Sequence, residues 1–547
     1  MPRSIVALVI LQIVTALAVS FGVVEREAVF FVTAMLLLFI ALGSLEEGMV
    51  LFIVSIPFFF ALPFSELFDS MANWRILVIA LFIKYILTLW KTYVAKVSRP
   101  KVGDFWVPKK IISDVLHSKL LIVAAAFIAW GTISSLQAVY FSAGIKKMLF
   151  LTNIFLLFPI ILFIIKKNGI NKVLLAIWYS LFSILAIGFT QLISLFVVPL
   201  EQFWRFWAGS VIPVFYGYNL GELLQTANTW FASGGGGPPT LRMFSVFPDS
   251  HSFAMFVMLG LVVPVALWLV GMPRRRAGGL LSVILAGFLA LIFSGSRGVW
   301  LSAAGVVTVL GGMWASLNWK KCEGNSIFFV KRLTALFVLF GILFLPASLI
   351  SSLTQRAQGG IADSLTGIKR VRSITDFEEV SNRSRLQIWK AALGTIAERP
   401  VFGVGPGNFS VALGEDIGAS RKGASAHNLY LDIASEMGVP GLLLFLLLIG
   451  RILYRMLSSI FTVQNSESRA ENLERSESSI QDSKFIIQKS MPMVFSVYFL
   501  WILGYSFFDV VLLNDKVCLF ATILAACCYE TAISRQPDPA TAYVAIA

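Results

Sequence analysis

The stretch SFAMFVMLGLVVPVALWLVG, Ser252 to Gly271, contains no charged residue. A hydrocarbon core of about 30 Å requires about 20 residues of helix, so this run predicts a membrane span. Similar runs, bounded by charge or by Gly and Pro, recur along the chain, and about fourteen qualify by the same length criterion. The composition agrees. Of 547 residues, 57% are apolar and 14% charged, whereas a soluble domain carries about 25% charged residues. The expected fold is an all-α polytopic membrane protein with about fourteen transmembrane helices.

Three runs at the N-terminus need individual readings. Ile5 to Val24 follows Arg3 and contains Ala16-Leu17-Ala18, as a cleavable signal would. Its apolar character continues past that point, so it is read as a span. Ala28 to Leu42 and Met49 to Phe64 are short, and a re-entrant pair is an alternative to two spans.

The net charge of +14 would suggest nucleic acid in a soluble chain. Here the basic residues gather in short loops: Lys91 to Lys119, Lys166 to Lys172, Arg274 to Arg276, Lys320 to Arg332 and Arg451 to Lys489. Cytoplasmic loops retain positive charge. With both termini cytoplasmic, all five loops fall on that side, and the excess charge is an orientation signal. No nucleic-acid partner is expected.

Four regions follow. Residues 1–240 hold the N-terminal helices and a first long outer loop, whose Gly234 to Gly237 tract reads as a flexible linker. Residues 241–350 form the core helices, 351–437 a large outer loop with short helices, and 438–547 the C-terminal helices with a polar cytoplasmic loop at 456–490.

Four cysteines (Cys322, Cys518, Cys527, Cys528) and three histidines (His117, His251, His427) show no metal-ligand spacing, so no metal or cofactor is expected. Cys527 and Cys528 read as packing residues. Charges inside spans are few. Lys84 can reach the nearer membrane surface, and Asp509, near the outer end of its span, either faces a cavity or caps a helix. An ion-coupled transporter would carry more mid-span carboxylates.

The outer face carries the chemistry. LRMFSVFPDSH (Leu241 to His251) and SGSRGVW (Ser294 to Trp300) each place an arginine, Arg242 and Arg297, at membrane depth. Arginine is always charged and forks onto phosphate oxygens, which suits an anionic ligand there. In the large outer loop, SRLQIWK (Ser384 to Lys390) carries Arg385, and RPVFGVGPGNF (Arg399 to Phe409) reads as a tight turn rather than a nucleotide loop. AHNLYLDIASEMGVPG (Ala426 to Gly441) follows. At a helix N-terminus His427 would be biased to the neutral imidazole that a general base needs. On a straight helix Glu436, nine residues on, is turned away by half a turn and does not orient His427.

The string His427 to Gly438, the Ser296-Arg297-Gly298 corner and the Arg385 to Phe409 block together resemble the O-antigen ligase and polymerase superfamily, over roughly Arg242 to Gly450. The resemblance implies a metal-independent, inverting glycosyltransferase of the bacterial inner membrane with its site on the periplasmic face. The implied donor is a glycan on undecaprenyl diphosphate. The implied acceptor is a hydroxyl on lipid A core, a growing glycan or another molecule. It further implies His427 as the catalytic residue and Arg242, Arg297, Arg385, Asn428, Tyr430 and Glu436 as substrate-binding residues. The chain departs from the family at Pro248-Asp249-Ser250-His251, where an asparagine often follows the proline. A ligase and a repeat-unit polymerase both fit, and a flippase for lipid-linked glycans is the alternative from another class.

Overall fold

The structure, a computed structural model, describes residues 1–65, 69–94, 118–226, 229–232, 239–269, 274–319, 325–359, 380–414, 424–470 and 494–533. The bulk of the basic loop from Lys91 to Lys119, the Gly234 to Gly237 tract and residues 471–490 of the polar loop lie outside the described residues.

The protein is an all-α membrane protein. Among the described residues, six helices are long and apolar enough to cross a bilayer: Arg3–Ser20, Phe141–Asn168, Asn171–Ser194, Ser250–Leu269, Val330–Ala357 and Leu429–Ser458. Five shorter apolar helices accompany them, among them Arg297–Met313 and Val494–Tyr505. The stretch that first signalled a membrane span is the central helix. In Ser250–Leu269, 89% of the most apolar window is buried inside the protein, against 28% for Arg3–Ser20. Its neighbour Arg274–Phe293 approaches closely because Gly287 has no side chain: a Cβ there would lie 2.5 Å from Leu261. Small residues let membrane helices approach in this way.

One predicted run is not a single helix. Leu45–Ser55 begins with a capping box between Ser44 and Glu47 and gives way to a 3-10 turn, Ile56–Phe58. A short hairpin follows, pairing Ala61 with Ala72 and Leu62 with Met71. Eleven residues rise only about half of a bilayer core. The extended chain beyond is buried, which is where non-helical backbone is tolerated at such depth.

Two cations, one within a helix and one in a turn, serve packing. Lys84 donates to the carbonyls of Ile40, Ala41 and Gly43, so it satisfies the open C-terminus of Ala28–Leu42. Arg26 pairs with Asp69 at 2.9 Å, both 4% exposed, and ties the hairpin to the first inter-helix turn. Cys527 and Cys528 are both fully buried in the last helix, Asp515–Ile533.

Candidate active site

Three separate segments bring arginines to one end of the bundle. Arg242 follows a hairpin that pairs Phe231–Ala232 with Thr240–Leu241. Its backbone N–H donates to Trp230 O at 2.6 Å, and Met243 N donates to Phe293 O at 2.9 Å. Phe244 stacks on Trp230 with ring centroids 4.1 Å apart. Ser245, at φ +52°, is clamped by Gln191, which accepts from its N–H at 2.8 Å and donates to its carbonyl at 2.9 Å. Arg242 thus projects from a fixed loop.

Arg297 opens the helix Arg297–Trp319 immediately after the Ser294 to Ser296 corner. A helix start offers free N–H groups and a partial positive charge, and an arginine at that point adds a full positive charge beside them. The Gly298 beside it is needed for space, because a Cβ would stand 2.7 Å from Phe508 and 2.9 Å from Tyr505. Arg385 comes from Val380–Glu398, a helix joined to the His427 segment by Trp389, whose indole N–H donates to Ala426 O at 3.0 Å.

His427 does not lie on the helix. It precedes Leu429, with φ +46°, a conformation that costs a non-glycine residue roughly 1–3 kcal/mol unless its surroundings enforce it. They do so here. Ala426 N donates to Asp432 Oδ1 at 3.0 Å, and Leu429 N donates to Ser506 O at 2.8 Å. The Nδ1 of His427 is buried without a hydrogen-bond partner among the described residues. Burial, with the Arg385 charge adding to it, holds the imidazole down to about 4, so it is neutral at pH 7.

Arg242, Arg297, Arg385 and His427 line a single cavity of about 220 Å³, together with His251 and Tyr505. The sequence pattern assigns His251 no role in the site. Its Nδ1 lies 3.1 Å from Ser296 Oγ, 3.1 Å from Tyr505 OH and 3.5 Å from Asp509 Oδ2. Asp509 therefore faces a cavity-lining group. Asp249 caps Ser250–Leu269 by accepting from Ser252 N and Ser252 Oγ, both at 2.6 Å. Burial raises its carboxyl to about 6 against the pull of those two bonds. One signal was available in the sequence: of three histidines in the whole chain, two reach this cavity.

The remaining predicted residues lie behind the cavity wall. Asn428 Oδ1 accepts from Tyr430 N at 3.0 Å and Leu431 N at 3.1 Å and caps the helix. Tyr430 OH donates to Leu503 O at 2.9 Å. Glu436 is ion-paired with Lys147, which also lies 3.8 Å from Asp432. This buried cluster supports the residue that holds Ala426. The helix breaks at Gly438, φ +71°, where a Cβ would meet Val401 O at 2.1 Å. Val439 N donates to Pro400 O, and Val404 N and Gly405 N donate to the carbonyls of Ser435 and Glu436. The glycine block from Arg399 to Phe409 is therefore a clamp on this break. It links the Arg385 helix to the His427 segment.

A multi-helix membrane protein with a cationic, two-histidine cavity at one end is the class this geometry defines. Residues 280–446 match the family described as O-Antigen ligase, and the match supports the resemblance of this segment to the O-antigen ligase/polymerase superfamily. The matched segment is thus similar to a glycosyl-transferring type of domain, in a membrane setting. No curated protein matches the chain. The matched segment contains Arg297, Arg385 and His427, whereas Arg242, His251 and Tyr505 complete the cavity from outside it and Asp509 stands beside His251.

Proposed function

We propose that the protein transfers a glycan from undecaprenyl diphosphate to an acceptor hydroxyl, in the manner of an O-antigen ligase, at the periplasmic face of the bacterial inner membrane. Both termini are then cytoplasmic, as the basic loops require. The observation that carries this reading is the convergence of Arg242, Arg297 and Arg385 with His427 on one cavity. A diphosphate is the leaving group whose charge grows as the glycosidic bond breaks, and preorganised guanidinium groups stabilise that charge. Arg242 and Arg297 hold the diphosphate, Arg385 closes the cavity above it, and His427 acts on the acceptor hydroxyl. Attack from the face opposite the diphosphate inverts the anomeric carbon. The match over residues 280–446 supports polysaccharide assembly as the setting.

The test is a deletion strain complemented with wild type, Arg297→Ala or His427→Ala and examined for surface glycan and prenyl-linked intermediates. A ligase leaves full-length prenyl-linked polymer that never reaches lipid A. A repeat-unit polymerase instead leaves single repeats on lipid A. Normal surface glycan from both variants at normal protein levels overturns the catalytic reading. A flippase would trap repeats on the cytoplasmic leaflet. Its charged groups would be expected through the bilayer rather than at one end.

A further inference from the structure

The cavity contains two imidazoles, and they are equipped differently. His427 Nδ1 is buried without a hydrogen-bond partner among the described residues. His251 Nδ1 faces Asp509 Oδ2 at 3.5 Å and two hydroxyls, Ser296 Oγ and Tyr505 OH, each at 3.1 Å. Ser296 Oγ donates to Tyr505 OH at 3.0 Å, so the hydroxyls form one chain along the ring. A histidine base works best when a carboxylate or hydroxyl fixes its far nitrogen, because that selects the tautomer and stabilises the imidazolium. His251 has that support, and it lines the cavity.

We propose that His251, backed by Asp509, is a second catalytic imidazole and receives the acceptor proton, while His427 orients the acceptor oxygen. This rests on the glycosyl-transfer reading above. The acceptor O–H gives its proton to His251 Nε2, and its oxygen forms the new bond to the anomeric carbon. The bond from that carbon to the phosphate oxygen breaks, and its electron pair stays on the released diphosphate. Asp509 faces the imidazolium until the proton leaves to water through the cavity mouth.

The charged and titratable groups around His251 are Arg242, Arg297, Arg385, His427 and Asp509, with Asp249 at the start of the same helix. Three guanidinium groups face the same cavity, and a bound diphosphate diester sets two negative charges against their three positive ones, which favours an imidazolium at His251 when the donor is in place.

The test uses full-length protein in membranes of a strain lacking the native copy but making the prenyl-linked glycan. Transfer per unit protein is measured alongside binding of undecaprenyl diphosphate to purified protein. His251→Gln is expected to lower transfer by about 100-fold or more, as loss of a general base does, with undecaprenyl diphosphate binding retained. Asp509→Asn lowers transfer less and moves the acid limb of the pH profile to lower pH, because the imidazolium loses its carboxylate. Wild-type transfer from His251→Gln overturns the proposal. If His251→Gln fails to accumulate, the Asp509→Asn profile decides: an unshifted acid limb overturns it. If wild-type membranes do not transfer from the prenyl diphosphate, the reading of function fails instead.

Discussion

Two charged clusters flank the segment from Ala426 to Gly438, and they handle charge in opposite ways. Behind the segment, Lys147 sits between Asp432 and Glu436, whose side chains are 5% and 4% exposed, and this cluster is closed. In front of it, three arginines and two histidines border an open volume of about 220 Å³. A closed cluster pairs its charges internally and fixes geometry. An open one is completed by a ligand. The difference separates the residues of one sequence motif: His427 belongs to the open side, Glu436 to the closed side.

Breaking the closed side has the largest expected effect. Lys147→Met leaves two buried carboxylates without their cation, and loss of one partner of a buried ion pair costs about 3–5 kcal/mol. The expected outcome is a lower melting temperature and less protein in the membrane, with transfer per folded molecule reduced only as the His427 segment loosens. A variant with full thermal stability would show that the cluster does not hold the segment.

Breaking the open side acts on chemistry instead. Arg297→Ala is expected to lower transfer by about 10²–10³-fold, the usual loss when one preorganised charge-stabilising donor is removed, at unchanged melting temperature. Loss of folded protein comparable to that of Lys147→Met would place Arg297 on the structural side of the comparison.

The pH dependence sharpens the contrast further. His427 is held at about 4, first by burial and then by Arg385, against an ordinary value near 6.5. A neutral imidazole is present above its pKa and is lost as pH falls through it. Arg385→Gln removes the second cause and leaves the first, so the acid limb set by His427 in the donor-free enzyme moves to higher pH and stays below about 6.5. The pH profile of kcat/KM measures this. An unmoved limb would mean that the arginine does not face the imidazole.

How much of this was legible follows from the kind of signal each feature leaves. An uncharged run as long as Ser252 to Gly271 has one physical solution, a helix across a bilayer, so the helical class could be read directly. The Met49 to Phe64 run has the same composition but folds as half a helix and a hairpin. Hydropathy does not distinguish backbone buried in protein from backbone buried in lipid. The arginines could be read because a guanidinium at membrane depth requires an explanation. Asn428, Tyr430 and Glu436 share a motif with His427 but use their polar atoms on the helix start, on Leu503 and on Lys147. Proximity in sequence gave no direction. His251 and Asp509 lie 258 positions apart and meet only through packing of the central helix against the segment after Tyr505.

The smallest expected effect tests the boundary between the two clusters. Asn428 contributes no atom to the cavity lining; its Oδ1 accepts two N–H groups that open the helix beginning at Leu429. Replacing a capping asparagine with alanine costs about 1 kcal/mol. Asn428→Ala is therefore expected to lower thermal stability slightly and to lower transfer by only a few-fold, through a less constrained His427. Asn428→Asp restores the acceptor oxygen at the cap and should return both values toward wild type. If Asn428→Ala instead abolishes transfer at normal stability, and Asn428→Asp does not rescue it, then the side-chain amide contacts substrate and the wall between the open and closed sides lies one residue further along the chain.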